Sequence, residues 1–206
     1  MRKEEAMKLY YTPGASSLAT HIALREAGLA FDMEKVDLRE KKTESGKDFY
    51  QVSAKGAVPA LQLDNGQVLT EGAAVLQYVA DQAPDKKLAP EPGNMQRYRL
   101  MEWLNLIATE LHKNYSPFFN PAMLEPCKAV FRGNLNRYYD IVESRLSQAA
   151  FLLGDTFSVA DAYLFTVTRY ADFAGLDLSK WPSLQAFQER VNSRPAVLEA
   201  LKSEGL

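Results

Sequence analysis

The sequence is poor in the residues that build disulfides and metal centres, since its 206 residues include one cysteine and two histidines. Cys127 has no second cysteine to pair with, which fits a reducing compartment, and a small helix residue is its simplest interpretation. Residues 1–6 are polar where a secretory signal would be apolar, and no apolar run is long enough to cross a bilayer. We therefore expect a cytoplasmic protein, with residues 1–6 as a flexible extension ahead of a possible start at Met7.

A charge excess of one sign is also missing. The chain has 24 lysines and arginines against 26 aspartates and glutamates, for a formal net charge of −2. No basic run exceeds two residues, as at 41–42 and 86–87. Because nucleic-acid binding needs clustered lysines and arginines that release counterions, this balance argues against that class. We expect a small molecule or another protein chain as the partner.

The first eighty or so residues alternate between strand and helix signals. Aromatic residues predict a strand at 8–11, and apolar residues at helical spacing predict a helix from Ser17 to a stop at Gly28. A second strand is expected at 31–38, an exposed loop at 39–46, and a short helix or irregular segment at 47–52. Strands at 57–63 and 67–69 flank a hairpin turn, and a helix follows to about Ala83. This β-α-β-α-β-β-α order predicts a mixed sheet with helices on both sides.

Beyond residue 83 the strand signals disappear. Segment 84–93 holds three prolines and several charges, and we interpret it as a linker. Helical periodicity follows through 101–111 and 131–146. Ser158 and Asp161 have capping-box spacing before a mostly apolar helix, and Pro182 and Pro195 suit the first turns of two more helices. We expect a β/α domain over 7–83 and an all-helical domain over 94–206.

The segment 9–18, LYYTPGASSL, is the most informative stretch. It predicts a strand, a Pro-Gly turn and a helix entry that carries two serines. Backbone N–H groups and hydroxyls therefore converge at one point, which suits a small anion.

Five motifs in sequence order resemble the cytosolic glutathione transferases, most closely their bacterial beta class. They are YYTPGA at 10–15, KGAVPAL at 55–61, LTEG at 69–72, EWLN at 102–105 running into ATELHK at 108–113, and SVADAYLF at 158–165. The resemblance covers nearly the whole chain from Met7. It implies a thioredoxin-like N-terminal domain that binds glutathione at its strand ends, a cis Pro59, a helical domain with a pocket for a hydrophobic substrate, and a homodimer.

The resemblance assigns several positions to the peptide part of glutathione, among them Val58, Pro59, Glu71 and Gly72. Glu71 would accept from the α-ammonium, and the N–H of Gly72 would meet the γ-glutamyl carboxylate at a helix N-terminus. Without the family match, Glu71 is simply a favourable acid in a first helical turn. The main chain of Val58, before Pro59, would pair with the cysteinyl backbone like an added strand, although core packing is its other role.

Further side chains enter only through the resemblance. Lys41 would meet the glycyl carboxylate, although a lysine in a charged loop is usually only solvated. Asn105 would reach toward the peptide in the partner subunit. His112 and Lys113 match a pair that faces the sulfur, although a helix histidine is more often a surface or packing residue. The aromatic residues that could line the hydrophobic pocket, and that helical spacing alone would place in the core, are Tyr115, Phe118, Tyr163 and Tyr170.

The sulfur of glutathione is the group that needs activation. A free thiol titrates near pH 8.5, and lowering its pKa by roughly two units needs about 2.7 kcal/mol. One hydrogen bond to a charged group contributes about 1.5–3 kcal/mol, and a helix N-terminus contributes about 0.3–1 kcal/mol. No metal or general base is therefore required.

Ser16 stands where the beta-class pattern has a cysteine. Its hydroxyl can donate to a thiolate but cannot form a mixed disulfide with glutathione. Ser17 and Tyr11 are competing donors, and a simple helix N-cap is the other role open to Ser16. We expect a glutathione S-transferase that conjugates the glutathione thiolate to small hydrophobic electrophiles. A glutathione-dependent thiol-disulfide oxidoreductase whose cysteine Ser16 has replaced, or a non-catalytic protein that binds glutathione or hydrophobic ligands, are the alternatives.

Overall fold

The computed structural model describes residues 7–206, so the expectation for residues 1–6 lies outside the described part. The described residues up to Leu88, together with Pro195–Leu206, form one compact unit, and Ala89–Arg194 form a second.

The first unit is built on a five-stranded sheet with the order β3-β2-β1-β4-β5. The central pair β1 and β2 is parallel, and the other neighbours are antiparallel. The strands are β1 Met7–Tyr11, β2 Phe31–Asp37, β3 Lys42–Thr43, β4 Ala60–Gln62 and β5 Val68–Thr70. Helix α1, Ser17–Ala27, makes the crossover from β1 to β2, and α2, Gly72–Asp81, follows β5. The thioredoxin-like class predicted for this part is confirmed.

Three local features of this unit differ in detail from the sequence expectations. The expected loop at 39–46 contains the short strand β3, because Val36 pairs with Thr43 and buries it. The segment at 47–52, expected as a short helix or irregular stretch, contains one 3-10 turn, Phe49–Gln51. The strand expected at 57–63 begins at Ala60, directly after the cis Val58–Pro59 bond that the resemblance implied.

The second unit contains helices only, apart from one isolated bridge between Phe151 and Gly154. Its helices, with a π-helical segment, Ile107–His112, between α3 and α4, are α3 Met95–Leu106, α4 Lys113–Tyr115, α5 Glu125–Leu146, α6 Val159–Thr168, α7 Ala171–Ala174 and α8 Pro182–Asn192. The all-helical prediction for this part is confirmed. Every residue of α6 is buried, as its apolar sequence indicates.

The capping box that begins α6 is confirmed. The Asp161 carboxylate accepts from the Ser158 N–H at 2.8 Å, from the Ser158 hydroxyl at 2.7 Å and from the Leu152 N–H at 2.9 Å. Complete burial nevertheless raises the pKa of Asp161 to about 6, because the charged form loses its hydration.

The last helix, α9 (Pro195–Glu204), belongs to the sheet-containing unit and not to the helical domain expected over 94–206. It packs against α1 and buries Val197, Ala200 and Glu204. Pro195 does occupy the first turn, as predicted, and so does Pro182 in α8. Over residues 7–206 no helix is both long and apolar enough to cross a membrane.

Candidate functional site

The turn between β1 and α1 is closed by reciprocal bonds between Thr12 and Ser17. The Thr12 N–H donates to the Ser17 hydroxyl at 3.2 Å, and that hydroxyl donates to the Thr12 carbonyl at 3.3 Å. The Ala15 N–H also donates to the Thr12 carbonyl, at 3.0 Å. Ser17 is completely buried and spends its only hydroxyl proton on the turn. It therefore builds the turn and is not free to donate to a ligand.

The turn already holds an anion, which belongs to the protein. The Gly14 N–H donates to Glu204 Oε2 at 2.9 Å, so one of the N–H groups expected to meet a small anion is occupied by a side chain from α9. Gly14 has φ +70°, a left-handed conformation that glycine adopts without a steric penalty. The turn consequently depends on the last helix for its geometry.

His21 completes the buried network around Glu204. The Arg25 Nε–H donates to His21 Nε2 at 2.8 Å, so Nε2 carries the lone pair and the ring proton lies on Nδ1. Nδ1 then donates to Glu204 Oε1 at 2.8 Å, and both side chains are fully buried. We assigned His21 no role from the sequence. The sequence placed His21 in the first helix, but Glu204, 183 positions away, carried no signal.

Ser16 lies directly before α1 and is 8% exposed. Its hydroxyl makes no N-cap bond to the helix and instead donates to the Val58 carbonyl at 3.1 Å. The structure thus brings together Ser16 and the Val58–Pro59 segment, and it rejects the simple N-cap role. Tyr11 is partly buried, and its pKa is raised mainly by that burial and then by the charge of Glu204.

Lys41 reaches the same segment from the other side. Its ammonium donates to the Gly56 carbonyl at 2.8 Å, two residues before Val58. The Lys41 backbone has φ +55°, which is unusual for a residue with a side chain. The lysine is therefore held against the loop and is not simply solvated.

Glu71 precedes the first turn of α2 and does not lie within it, which corrects its alternative role as a first-turn acid. Its backbone has φ +69° and ψ 111°, and its side chain is exposed and accepts from Lys55 Nζ at 2.6 Å. Gly72 is the first helical residue, so its N–H has no acceptor within the helix. A strained backbone beside free N–H groups is common where a ligand is bound.

In the second unit, His112 ends the π-helical segment and lies against two tyrosines. Its Nδ1 is 2.9 Å from the Tyr163 hydroxyl, and its ring centroid is 5.8 Å from Tyr163 and 6.0 Å from Tyr170. Burial first, and then the charge of Lys113, lower the pKa of His112. The Lys113 side chain itself is exposed. The π-helical segment had no sequence signal that we identified, although such segments occur frequently at functional sites.

Two of the four aromatic residues expected in a hydrophobic pocket have other positions. Tyr115 is fully buried, and its hydroxyl is 2.8 Å from that of Tyr139, which donates onward to Thr168. Burial raises the pKa of Tyr115 strongly. Phe118 lies under the guanidinium of Arg132, with 5.3 Å between the guanidinium carbon and the ring centroid. Tyr115 is therefore a core residue, with its ring 5.6 Å from that of Tyr170, centroid to centroid. Phe118 is outside the ring contacts of His112.

Two exposed aromatic residues not predicted from the sequence extend the cluster, Phe119 next to Tyr170 and Phe173 next to Phe119. Phe119 is 5.4 Å from Tyr170 and 5.4 Å from Phe173, centroid to centroid. Phe119 is 51% exposed and Phe173 is 69% exposed. The adjacent Phe118 and Phe119 offered a signal, but helical spacing alone could not decide which ring faces this cluster.

Asn105 lies exposed on α3, and its carbonyl accepts from the Thr109 hydroxyl at 3.1 Å. Cys127 is an exposed free thiol on α5. Within residues 7–206, no group of three or more histidine, cysteine or acidic side chains is arranged to hold a metal ion.

Two family models match the chain. The glutathione S-transferase N-terminal domain matches residues 15–82, and the glutathione S-transferase C-terminal domain matches residues 106–195. The glutathione S-transferase GstA of Escherichia coli O157:H7 is 46% identical over 200 residues, which are 97% of this chain and 100% of the relative.

Solved structures agree with these matches. A sphingomonad glutathione S-transferase complexed with glutathione is 44% identical with a TM-score of 0.93, over 97% of this chain and 99% of the other. The bacterial beta-class glutathione S-transferase of Sphingomonas chungbukensis is 45% identical with a TM-score of 0.93, over the same shares of the two chains.

Proposed function

This chain belongs to the glutathione S-transferase family and is a glutathione transferase, and from that premise we propose which of its groups hold glutathione, activate the sulfur and receive the second substrate. The observation that carries the proposal is the Ser16 hydroxyl donating to the Val58 carbonyl beside cis Pro59. It supports a site in which one short loop binds the peptide while one hydroxyl reaches its sulfur.

The peptide part of glutathione is held by four separate groups. The main chain of Val58, before Pro59, pairs with the cysteinyl backbone, and Lys41 meets the glycyl carboxylate. The contact of Lys41 with Gly56 supports this, because it keeps the ammonium beside the loop that binds the peptide. The α-ammonium and the carboxylate of the γ-glutamyl group meet Glu71 and the N–H of Gly72.

The Ser16 hydroxyl donates to the thiolate once glutathione is bound. For this the Ser16 hydroxyl exchanges its bond to the Val58 carbonyl for one to the sulfur. Ser17 is the weaker candidate, because its bonds with Thr12 close the turn itself. A charge-assisted bond of about 1.5–3 kcal/mol covers most of the roughly 2.7 kcal/mol that a two-unit drop in thiol pKa needs. The thiol proton leaves to solvent, the thiolate sulfur attacks the electrophilic carbon, and a leaving group departs with its electron pair.

The helical unit contributes His112 and Lys113 toward the sulfur and an aromatic surface for the second substrate. Ring contacts from Tyr163 through His112, Tyr170 and Phe119 support this, because the rings end at an exposed face. Such a surface suits small hydrophobic electrophiles, in keeping with a detoxification role in the cytoplasm.

A homodimer completes the proposal, with Asn105 reaching the peptide bound by the partner. The support is an exposed stripe on α3 that ends at Asn105 and is formed by Met95, Tyr98 and Met101, which are 66%, 56% and 43% exposed. Spacings of three and four residues place these side chains on one helix face.

The test compares wild type with Ser16→Ala, Ser16→Cys and Tyr11→Phe. Turnover with an aromatic halide and the ultraviolet absorbance of bound thiolate are measured for each. We expect Ser16→Ala to lower kcat roughly 10- to 150-fold, the rate equivalent of a 1.5–3 kcal/mol bond, while Tyr11→Phe changes it little.

The remaining outcomes separate the alternatives. Unchanged turnover in Ser16→Ala removes Ser16 as the donor. Disulfide reduction that appears only in Ser16→Cys is expected, because Cys127, the only cysteine of the chain, lies on α5. Tight glutathione binding without any conjugation in wild type contradicts the proposed assignment of the reacting groups.

A further inference from the structure

The ring of His112 is in contact with two tyrosines and bonded through one nitrogen. Nδ1 is bonded to the Tyr163 hydroxyl at 2.9 Å, and Tyr163 and Tyr170 contact the ring in edge and tilted geometries. The other ring nitrogen, Nε2, has no hydrogen-bond partner among residues 7–206. The imidazole therefore has one nitrogen in a hydrogen bond, Nδ1, and one that can bind a ligand, Nε2.

The hydrogen bond at Nδ1 determines whether Nε2 carries the ring proton or the lone pair. A neutral imidazole carries one N–H and one lone pair, and the bond at one nitrogen sets the tautomer. The ring of His112 is neutral near pH 7, because burial and the neighbouring Lys113 both lower its pKa. A phenol is a good hydrogen-bond donor, and an imidazole lone pair accepts more strongly than a phenol oxygen. The favoured bond therefore runs from Tyr163 to Nδ1.

We propose that Tyr163 is a positioning residue that donates to His112 Nδ1 and so keeps the ring proton on Nε2. The inference rests on the proposed function, in which His112 faces the sulfur. In this tautomer His112 offers a thiolate an N–H donor. In the opposite tautomer it would present a lone pair, which repels a thiolate. Tyr163 thus makes His112 a second hydrogen-bond donor to the sulfur, and no net proton transfer is needed.

Tyr163 is well placed for this role. It is 3% exposed and lies in the first half of α6, whose start is fixed by the bonds between Ser158 and Asp161. Tyr163 is five positions after Ser158, so the fixed helix start also restricts where the Tyr163 hydroxyl can lie. His112, the other member of this hydrogen-bonded pair, ends the π-helical segment.

The experiment reads the tautomer directly by nitrogen-15 NMR of the His112 imidazole in the full-length protein at neutral pH. We expect wild type to show protonated Nε2 and unprotonated Nδ1. Tyr163→Phe keeps the ring and removes only the hydroxyl, and we expect a mixture of tautomers. Tyr139→Phe removes another buried tyrosine hydroxyl in the same unit without touching His112, and we expect the wild-type tautomer.

The functional arm measures conjugation and the thiol pKa of bound glutathione. In Tyr163→Phe we expect kcat to fall about 3- to 10-fold and the thiol pKa to rise, with KM for glutathione within about twofold of wild type, as removal of one neutral donor implies. Thermal melting checks that Tyr163→Phe folds. The nitrogen-15 spectrum of wild type tests the predicted tautomer even if that variant does not fold.

Three results overturn the inference: a proton on Nδ1 in wild type, an unchanged tautomer in Tyr163→Phe, or a changed tautomer with unchanged kcat and thiol pKa. Failure of the proposed function is distinguishable, because it appears as absent conjugation in wild type or as an unaffected Ser16→Ala variant.

Discussion

The Glu204 carboxylate lies 2.9 Å from the Gly14 N–H, 190 positions earlier in the chain. Its other oxygen is bonded to His21, so this buried carboxylate has two donors, of which His21 is fully buried and Gly14 partly buried. The turn that leads to Ser16 is therefore fixed by contacts between α1 and α9, which lie at opposite sequence ends of the sheet-containing unit.

Replacing Glu204 with alanine should reduce the free energy of unfolding by about 2–5 kcal/mol, because the buried His21 N–H and the partly buried Gly14 N–H lose their acceptor. Glu199→Ala is the matched control, since Glu199 is exposed and pairs with Arg25 at the far end of the same network. That variant should cost less than about 1 kcal/mol. Urea denaturation of both variants checks the prediction, and equal losses would contradict the special role of Glu204.

Glu71→Gly should stabilise the fold while weakening glutathione binding. Glycine relieves the positive φ at this position, where strain costs about 1–3 kcal/mol, but it removes the carboxylate. We expect a higher melting temperature and a KM for glutathione raised at least severalfold.

Lys87→Gly is the control for that variant, because Lys87 also has a positive φ, at +54°, and lies after α2, where we place no ligand. It should stabilise the protein without changing KM. A stable Glu71→Gly variant with wild-type KM would remove Glu71 from the binding site.

The stability lost in Asp161→Asn should depend on pH. The pKa of Asp161 is about 6 in the folded protein and near 3.9 in the unfolded chain. The contribution of Asp161 to the free energy of unfolding is therefore largest below the unfolded pKa and declines as pH rises through the folded pKa. We expect the variant to lose about 2 kcal/mol less at pH 7 than at pH 4.5. Chemical denaturation of both proteins at the two pH values measures this, and a cost independent of pH would show that Asp161 titrates normally.

Tyr115→Phe should lower stability and leave KM for a hydrophobic electrophile unchanged, whereas Phe173→Ala should do the reverse. Tyr115→Phe leaves the Tyr139 hydroxyl without one of its buried partners and should cost about 1–3 kcal/mol of stability, with little effect on KM for a hydrophobic electrophile. Phe173 is exposed, so Phe173→Ala should leave stability nearly unchanged and raise that KM. The reverse result would return Tyr115 to the substrate pocket.

Features set by neighbouring residues were predictable from the sequence. The capping box of Ser158 and Asp161 and the first-turn positions of Pro182 and Pro195 need only a few residues of context. The family motifs also brought Ser16 and Val58 into one site. Contacts over long separations carried no such pattern, so the bond from Glu204 to Gly14 and the assignment of α9 to the first unit were not foreseen.

The aromatic cluster shows a second limit. Periodicity identified apolar positions in the helical domain, but the π-helical segment at 107–112 and the 3-10 turn Ser116–Phe119 both change the register of side chains. A one-residue change decides whether Phe118 or Phe119 meets Tyr170. Regular helical spacing cannot resolve that choice.

The return of α9 to the first unit has a consequence for biosynthesis. A ribosome that has made β1, α1 and the rest of the sheet has not yet made the acceptor for the Gly14 N–H, and it must first synthesise all of Ala89–Arg194. The nascent sheet therefore leaves the exit tunnel with an unfinished turn next to Ser16. The bonds between Thr12 and Ser17 can form early, but the Gly14 N–H gains its acceptor only when Glu204 emerges. Full glutathione binding should therefore appear only after the helical unit has been made.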